Sequence, residues 1–202
     1  MSCSFEIIQD AVECQQVIKK SRFITHLLPV ADKYQAMSEI EQIRQEYPDA
    51  RHHCWAFIAG APDDTQVLGF SDDGEPNGTA GKPILAQLRG SGLGYICAVV
   101  VRYFGGVKLG TGGLVRAYGS SVGQALDLVI RHPFVEKVTM TLHFGFELLG
   151  TVTQLLRQYH AQQFDTTYTT QVGLTVVLAK CDKDDFCEHI MNACSGKIEF
   201  DR

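Results

Sequence analysis

Two short stretches of the sequence hold side chains that could bind a metal ion or transfer a proton. His52 and His53 lie side by side in ARHHCWAF, and Asp72, Asp73 and Glu75 lie in SDDGEPNGTAGKP. Imidazole and carboxylate groups together suit zinc or manganese, and close carboxylates can serve as a general acid and base. Neither stretch has the tight spacing of a helical metal site. The sequence therefore predicts no metal ligand and assigns no catalytic residue.

His52 and His53 open a predicted strand, in which neighbouring side chains point to opposite faces. At most one of them is expected to join a given site. Cys54 follows them and is interpreted as a structural thiol rather than a Cys–His nucleophile. The acidic residues have a simpler use, because Asp side chains in a glycine-rich turn hydrogen-bond the backbone of their own loop. A hydrolase built from the histidines and acidic residues remains an alternative function.

A third stretch, VVVRYFGGVKLGTGGLVRAYG at residues 99–119, places glycines between a predicted strand and a predicted helix. Loops of this kind often hold a phosphate. The dinucleotide fingerprint fails because Val115 takes the place of its last glycine, and the first downstream acid, Asp127, falls inside the helix. The P-loop fingerprint fails because Pro83 follows the Gly-Lys pair. The sequence therefore predicts no nucleotide cofactor.

The same stretch is a candidate surface for an anion, since it offers backbone N–H groups and the positive end of a helix. Residues 76–126 contain five Lys or Arg and no acid, whereas residues 52–81 contain five acids and no Lys or Arg. The two segments could pair with each other, or the basic one could bind a partner such as RNA. One of Tyr103 and Phe104 could stack a base. The predicted anion- or RNA-binding residues are Lys82, Arg102, Gly105, Gly106, Lys108, Gly110, Gly112, Gly113 and Arg116.

Composition limits the class of protein. The chain has 202 residues, a net charge of −5 and 45% hydrophobic residues, which is typical of a globular protein. The acidic balance argues against a protein coated with basic charge, and no DNA partner is expected. No apolar stretch approaches the roughly 20 residues of a membrane helix, and no secretory signal is evident. Seven cysteines without a CxxC pair indicate reduced thiols, so we expect a cytoplasmic protein with no membrane partner.

Hydrophobic periodicity predicts an α+β chain in two domains, residues 1–132 and 133–202. The first has strands at 21–30, 53–59, 67–71 and 96–104 and helices at 33–47, 83–89 and 113–130. The second helix is expected to end at Gly90 in the left-handed region. The second domain begins with a strand at 135–144 and continues in the order β-α-β-β-α-β, the split βαβ pattern of ferredoxin-like folds.

With RYFGGVKLGTGGLVRAY, SDDGEPxGTAGKP and ARHHCWAF, the chain resembles the IMPACT family, specifically its bacterial YigZ-type branch. The resemblance implies an N-terminal domain of the ribosomal protein S5 domain 2-like fold and a ferredoxin-like C-terminal domain similar to the fifth domain of elongation factor G. It transfers no catalytic residue. It marks His52, His53, Asp72, Asp73 and Glu75 as part of a family surface.

Three functions remain in view. The first is a non-enzymatic, translation-associated regulator that binds RNA or the ribosome through the basic glycine-rich face of the N-terminal domain. The second is a protein–protein interaction module that regulates translation under stress, as the resemblance to eukaryotic relatives implies. The third is a hydrolase that uses the cluster of His52, His53, Asp72 and Asp73.

Overall fold

The computed structural model describes residues 4–201, which divide into two compact units. One unit covers residues 5–134 and the other begins at Val135. Each unit combines a β-sheet with helices packed on it, so the predicted α+β class is confirmed. Within residues 4–201, no helix is long and apolar enough to cross a membrane.

The N-terminal unit contains seven strands and three helices. They are β1 (Ser4–Ile7), β2 (Val12–Ile18), β3 (Ser21–Pro29), α1 (Lys33–Glu46), β4 (His52–Ile58), β5 (Leu68–Ser71), α2 (Gly81–Ser91), β6 (Ile96–Tyr103), α3 (Thr111–Leu126) and β7 (His132–Val135). Five strands form an antiparallel sheet in the order β2-β3-β6-β4-β5, and β1 pairs with β7. The strands β1 and β2 were not predicted.

The central strand β6 lies in the middle layer of this unit, with helices on both faces of its sheet. Its residues from Ile96 to Arg102 are all buried, because α1 packs on one face of the sheet while α2 and α3 pack on the other. Alternate residues of β4 follow the same division. Cys54 faces the core beneath α2 and α3, whereas Trp55 and Phe57 stack on the opposite face with ring centroids 5.6 Å apart. This is the alternation of side chains between the two faces of a strand.

Several predicted boundaries are wrong. Helix α2 begins at Gly81 and continues through Gly90, and the left-handed residue that ends it is Gly92, with φ of 71°. Helix α3 ends at Leu126, four residues before the predicted end. The predicted strand 135–144 begins two residues later, at Lys137, and β7, which precedes it and pairs with β1, was not predicted.

The C-terminal unit contains β8 (Lys137–Phe144), α4 (Leu149–Gln158), β9 (Gln162–Tyr168), β10 (Val172–Ala179), α5 (Lys183–Ala193) and β11 (Ile198–Phe200). Its sheet is antiparallel in the order β11-β8-β10-β9. The inward residues of β8 and β10, such as Leu142 and Leu174, form one core with Val152 of α4 and Ile190 of α5. The β-α-β-β-α-β order is thus the ferredoxin-like arrangement.

The cysteines fit the expectation of reduced thiols only in part. Cys14, Cys54, Cys97, Cys187 and Cys194 are free thiols. Cys181 is disulfide-bonded, so the expectation is wrong at that residue.

Candidate functional site

The glycine-rich loop joins the end of β6 to the start of α3 and packs against the turn between β2 and β3. A Cβ atom on Gly105 would lie 1.9 Å from the carbonyl oxygen of Lys20, so only glycine fits there. The Gly105 N–H donates to Ser21 Oγ over 3.4 Å and is therefore not free for an anion. This close approach brings Lys19 and Lys20 to the loop. Both are exposed, and the sequence analysis missed them.

The remaining glycines of the loop differ in what they require. Gly106 and Gly110 have φ of 84° and 73°, a region that side chains other than glycine rarely adopt. A Cβ on Gly113 would lie 3.1 Å from Leu109 Cβ, whereas a Cβ on Gly112 would meet nothing within 4 Å. Gly106, Gly110 and Gly112 are exposed. Anion binding by these three glycines stays a prediction.

Helix α3 begins at this loop without a side-chain cap. Gly110 occupies the N-cap position, no side chain hydrogen-bonds the first turn, and the first turn contains no acidic residue. The first N–H groups of a helix have no intrahelical partner and carry partial positive charge. Lys108 and Arg116 are exposed beside this end of the helix. The helix therefore presents a positive terminus with no acidic side chain in its own first turn.

Two cavities are lined by residues of the loop, by the start of α3 and by the cations beside them. One, of about 310 Å³, is lined by Arg102, Phe104, Lys108 and the first residues of α3. The other, of about 230 Å³, is lined by Lys19, Gly113 and Arg116, and both cavities share Leu109. We call the surface formed by Lys19, Lys20, residues 104–113 and Arg116 the basic loop face.

Two of the predicted binding residues, Arg102 and Lys82, are not exposed cations of the basic loop face. The Arg102 side chain is only 7% exposed, and its Nη1 pairs with Glu75 Oε1 at 2.5 Å. Its guanidinium lies between the rings of Phe23 and Phe104, 5.5 and 5.8 Å from their centroids. Arg102 is therefore not a surface cation. Lys82 is exposed, but it lines neither cavity and lies near Asp72.

Glu75 is the centre of a buried polar cluster rather than an exposed acid. Besides Arg102, its Oε1 accepts a hydrogen bond from the Tyr118 hydroxyl at 2.8 Å. Cys54 Sγ lies 3.3 Å from that hydroxyl oxygen and 3.0 Å from the Asp72 carbonyl oxygen. Burial raises the pKa of both the Cys54 thiol and the Tyr118 phenol far above neutrality. Cys54 is thus a protonated structural thiol and not an activated nucleophile.

The two histidines and Asp73 hold the acidic loop against β4. The His53 N–H donates to Asp73 Oδ2 at 2.6 Å, and His52 Nδ1 lies 2.8 Å from the Asp73 carbonyl oxygen. Arg44 of α1 pairs with Asp73 Oδ1 at 3.1 Å. His53 makes this contact through its backbone, and its ring Nε2 lies 3.0 Å from the Tyr47 carbonyl oxygen, so the expectation that at most one histidine side chain joins a given site stays a prediction. Within residues 4–201, no group of three or more His, Cys, Asp or Glu side chains could hold a metal ion.

Asp72 organises the loop that precedes α2. Its carboxylate accepts hydrogen bonds from the backbone N–H groups of Gly78, Ala80 and Gly81 at 2.8–2.9 Å. Burial raises the pKa of this carboxyl, but the three N–H donors and the charge of Lys82 together outweigh it and lower the pKa below its usual range. The prediction that the acidic residues organise their own loop is confirmed here.

Replacing Asp72 with asparagine is expected to lower the free energy of unfolding by about 2 kcal/mol near neutral pH, because charge-assisted hydrogen bonds are lost. A carboxyl whose folded pKa is lowered stabilises the fold above its unfolded pKa, and this contribution disappears as the pH falls through the folded pKa. The difference between the proteins should therefore shrink below about pH 4. Urea unfolding across pH measures it. Asp63→Asn, an exposed position with the same charge change, should show neither effect, and equal curves for the two variants would contradict the assignment.

Comparison with known proteins identifies the family. The Impact N-terminal domain matches residues 19–126, more than half of the chain. The chain belongs to the IMPACT family. A domain of unknown function, DUF1949, matches residues 142–197 of this family member. The motifs at residues 50–57, 71–83 and 102–118 thus lie inside the Impact N-terminal domain.

Individual relatives cover nearly the whole chain. "IMPACT family member YigZ" of Escherichia coli is 48% identical over 90% of this chain and 89% of its own length. "IMPACT family member" of Haemophilus influenzae is 45% identical over 94% of this chain and 92% of its own. A crystal structure titled as that of a hypothetical protein is 46% identical, with a TM-score of 0.70 and coverage of 98% of this chain and 96% of that one. Both units thus have counterparts in these IMPACT family relatives.

Proposed function

We propose that this IMPACT family member is a non-enzymatic, cytoplasmic, translation-associated protein that binds RNA or the ribosome through the basic loop face. One observation carries the proposal. Lys19, Lys20, Lys108 and Arg116 are all exposed around the uncapped start of α3, and none of them forms an ion pair with another residue of the 4–201 range. Phosphate groups are bound by such cations, by loop N–H groups and by helix N-termini.

Pairing between the acidic and basic segments accounts for only part of the basic charge. Glu75 neutralises Arg102, and Lys82 lies in the field of Asp72. Lys108 and Arg116 form no ion pair within residues 4–201. The β2–β3 turn adds two more exposed cations, Lys19 and Lys20, to the same face. A surface with four cations that form no ion pair in the described part of the chain attracts polyanions at ordinary ionic strength despite the net charge of −5. Glu75 also lines the larger cavity, but its charge is paired with that of Arg102.

The hydrolase alternative is poorly supported by the geometry. Asp72, Asp73 and both histidines are engaged in hydrogen bonds that hold the loop, and Cys54 is a buried, protonated thiol. The protein-interaction alternative needs a different test, because an exposed basic face can also bind an acidic protein. Cosedimentation with ribosomes, with and without nuclease, separates the two.

Charge reversal on the face gives the direct test. Lys108→Glu combined with Arg116→Glu is expected to weaken binding to single-stranded RNA at least tenfold. It should also lower the slope of log K against log salt by about 1.4, roughly 0.7 for each phosphate contact removed from a single strand. Fluorescence anisotropy over a salt series measures both quantities.

A matched control carries the same charge change elsewhere. Lys33→Glu with Arg89→Glu alters two exposed cations that line neither cavity, and this variant should keep the wild-type salt slope. Equal loss in both variants would mean that binding follows net charge and not this face. Nuclease-resistant association with ribosomes would favour the protein-interaction function instead.

A further inference from the structure

The cavity of about 310 Å³ has features that phosphate binding does not use. Apart from its charged groups, its walls are apolar and consist of Pro76, Phe104, Leu109 and Leu114. Phe104 is 55% exposed and lines the same cavity, so its ring is accessible to a ligand. A phosphate gains nothing from apolar walls, whereas a ring with apolar faces does.

Two polar groups that line this cavity have unused hydrogen-bonding capacity. Arg102 is buried, yet its Nε–H has no hydrogen-bond partner in the described part of the chain. A buried donor without a partner costs free energy, so such groups call for an explanation. Glu75 uses Oε1 for both Arg102 and Tyr118, and residues 4–201 provide no hydrogen bond to its Oε2. Arg102 and Glu75 both line the cavity and pair through Nη1 and Oε1, so an unpartnered donor and an unpartnered acceptor belong to neighbouring residues of its wall.

A nucleobase matches this combination. Its two faces stack on aromatic rings, and its edge carries a hydrogen-bond donor beside an acceptor. Lys108, Gly110 and Thr111 line the same cavity, so a phosphate attached to the base would meet a cation and the N-terminal N–H groups of α3. The volume lies at the lower end of the range of ligand pockets, which suits a single nucleotide better than a large cofactor.

We propose that this cavity takes one unpaired nucleobase of the RNA, stacked on Phe104, with its edge toward Glu75 and Arg102 and its phosphate beside Lys108 and the start of α3. The inference rests on the proposed function and specifies it. It means that the protein selects single-stranded RNA over duplex RNA, in which the bases are stacked and paired. The exposed cations bind the phosphate backbone of the RNA, and the cavity accepts only a base that is not paired.

The first experiment separates the base from the phosphates. Wild type is titrated with a single-stranded RNA oligonucleotide and with an abasic oligonucleotide of the same length and phosphate count. Because stacking on an aromatic side chain is substantial, Phe104→Ala should weaken binding to the normal RNA about 5- to 100-fold and leave binding to the abasic one unchanged. Phe104→Trp should restore the wild-type preference. Val115→Ala, an exposed apolar position on α3 outside the cavity, is the matched control and should change neither affinity.

The second experiment keeps the inference distinct from the proposed function. Methyl NMR signals of Leu109 and Leu114 are followed while nucleoside monophosphates are added, with inorganic phosphate as the reference. Shifts with the nucleotides alone, abolished by Phe104→Ala, support the cavity even where the chain binds no RNA, a result that would reject the proposed function only. Equal affinity of wild type for normal and abasic RNA, with no nucleotide-specific shifts, overturns the inference and leaves RNA binding intact. Absence of RNA binding together with absence of shifts overturns both.

Discussion

Replacing Arg102 with leucine should lower the free energy of unfolding by about 3–5 kcal/mol, one of the largest effects expected from a single substitution in this chain. The reason lies with its partner. The Glu75 side chain is only 4% exposed, and Arg102 provides its counter-charge. Removing one member of a buried ion pair leaves the other charge without compensation, which costs far more than the pair itself contributes. Urea unfolding followed by the fluorescence of Trp55 measures the change.

Two further variants distinguish this cause from a general loss of positive charge. Lys108→Leu removes the same charge from an exposed position and should change stability by no more than about 0.5 kcal/mol. Arg102→Leu combined with Glu75→Leu should be more stable than Arg102→Leu alone, because no buried charge remains. A double variant no more stable than the single one would show that the ion pair is not the cause.

This result also governs how binding should be tested. Arg102 was predicted from the sequence to be an RNA-binding residue, and a charge reversal there would reduce RNA binding by unfolding the protein. Lys108 and Arg116 are exposed and unpaired within the described residues, so changes at these positions report on the surface. Arg102 can influence a ligand only from within the cavity, beneath Phe104.

The core strands and the loop could be predicted because their signals are local. The run from Ile96 to Val101 is apolar throughout, as a strand covered on both faces must be. The alternation in β4 correctly separated Cys54 from Trp55 and Phe57. The glycines after β6 correctly placed a loop before a helix. In each case the residues that show the sequence pattern are the same residues that form the strand, the strand face or the loop.

Arg102 shows why burial of a charge could not be predicted. It follows the six apolar residues 96–101 near the end of β6, where a charged side chain ordinarily reaches solvent. Its partner Glu75 lies 27 residues earlier, in a loop that Asp72 and Asp73 fold against the sheet. The environment of Arg102 thus depends on long-range packing that no local pattern expresses.

The β2–β3 hairpin was missed for a different reason. Its turn consists of Lys19 and Lys20, both with positive φ, between the paired residues Ile18 and Ser21. Two-residue turns with this backbone usually contain Asn-Gly or Asp-Gly, so a Lys-Lys turn gives no signal. The edge strand β2 is also rich in polar residues. The structure stabilises the turn through the loop that packs on it at Gly105, and the same contact brings both lysines to the basic loop face.

Gly105→Ala should therefore destabilise the protein by about 3 kcal/mol and also weaken RNA binding. The added Cβ would overlap the Lys20 carbonyl, and a backbone atom on a paired hairpin cannot move aside as a flexible side chain can. Either the loop or the hairpin must shift, and both carry the cations of the basic loop face. Urea unfolding and RNA anisotropy, measured on the same preparations, test the two effects.

Gly112→Ala is the matched control, because the same atom is added where nothing lies within 4 Å and the residue is already inside α3. Alanine is the better helix former, so this variant should be unchanged or up to about 1 kcal/mol more stable. If Gly105→Ala behaved like Gly112→Ala, the loop would not be clamped on the hairpin, and Lys19 and Lys20 would have no reason to act together with Lys108 and Arg116. If Gly105→Ala lost stability but kept full RNA affinity, the clamp would be structural and the two lysines would lie outside the RNA-binding surface.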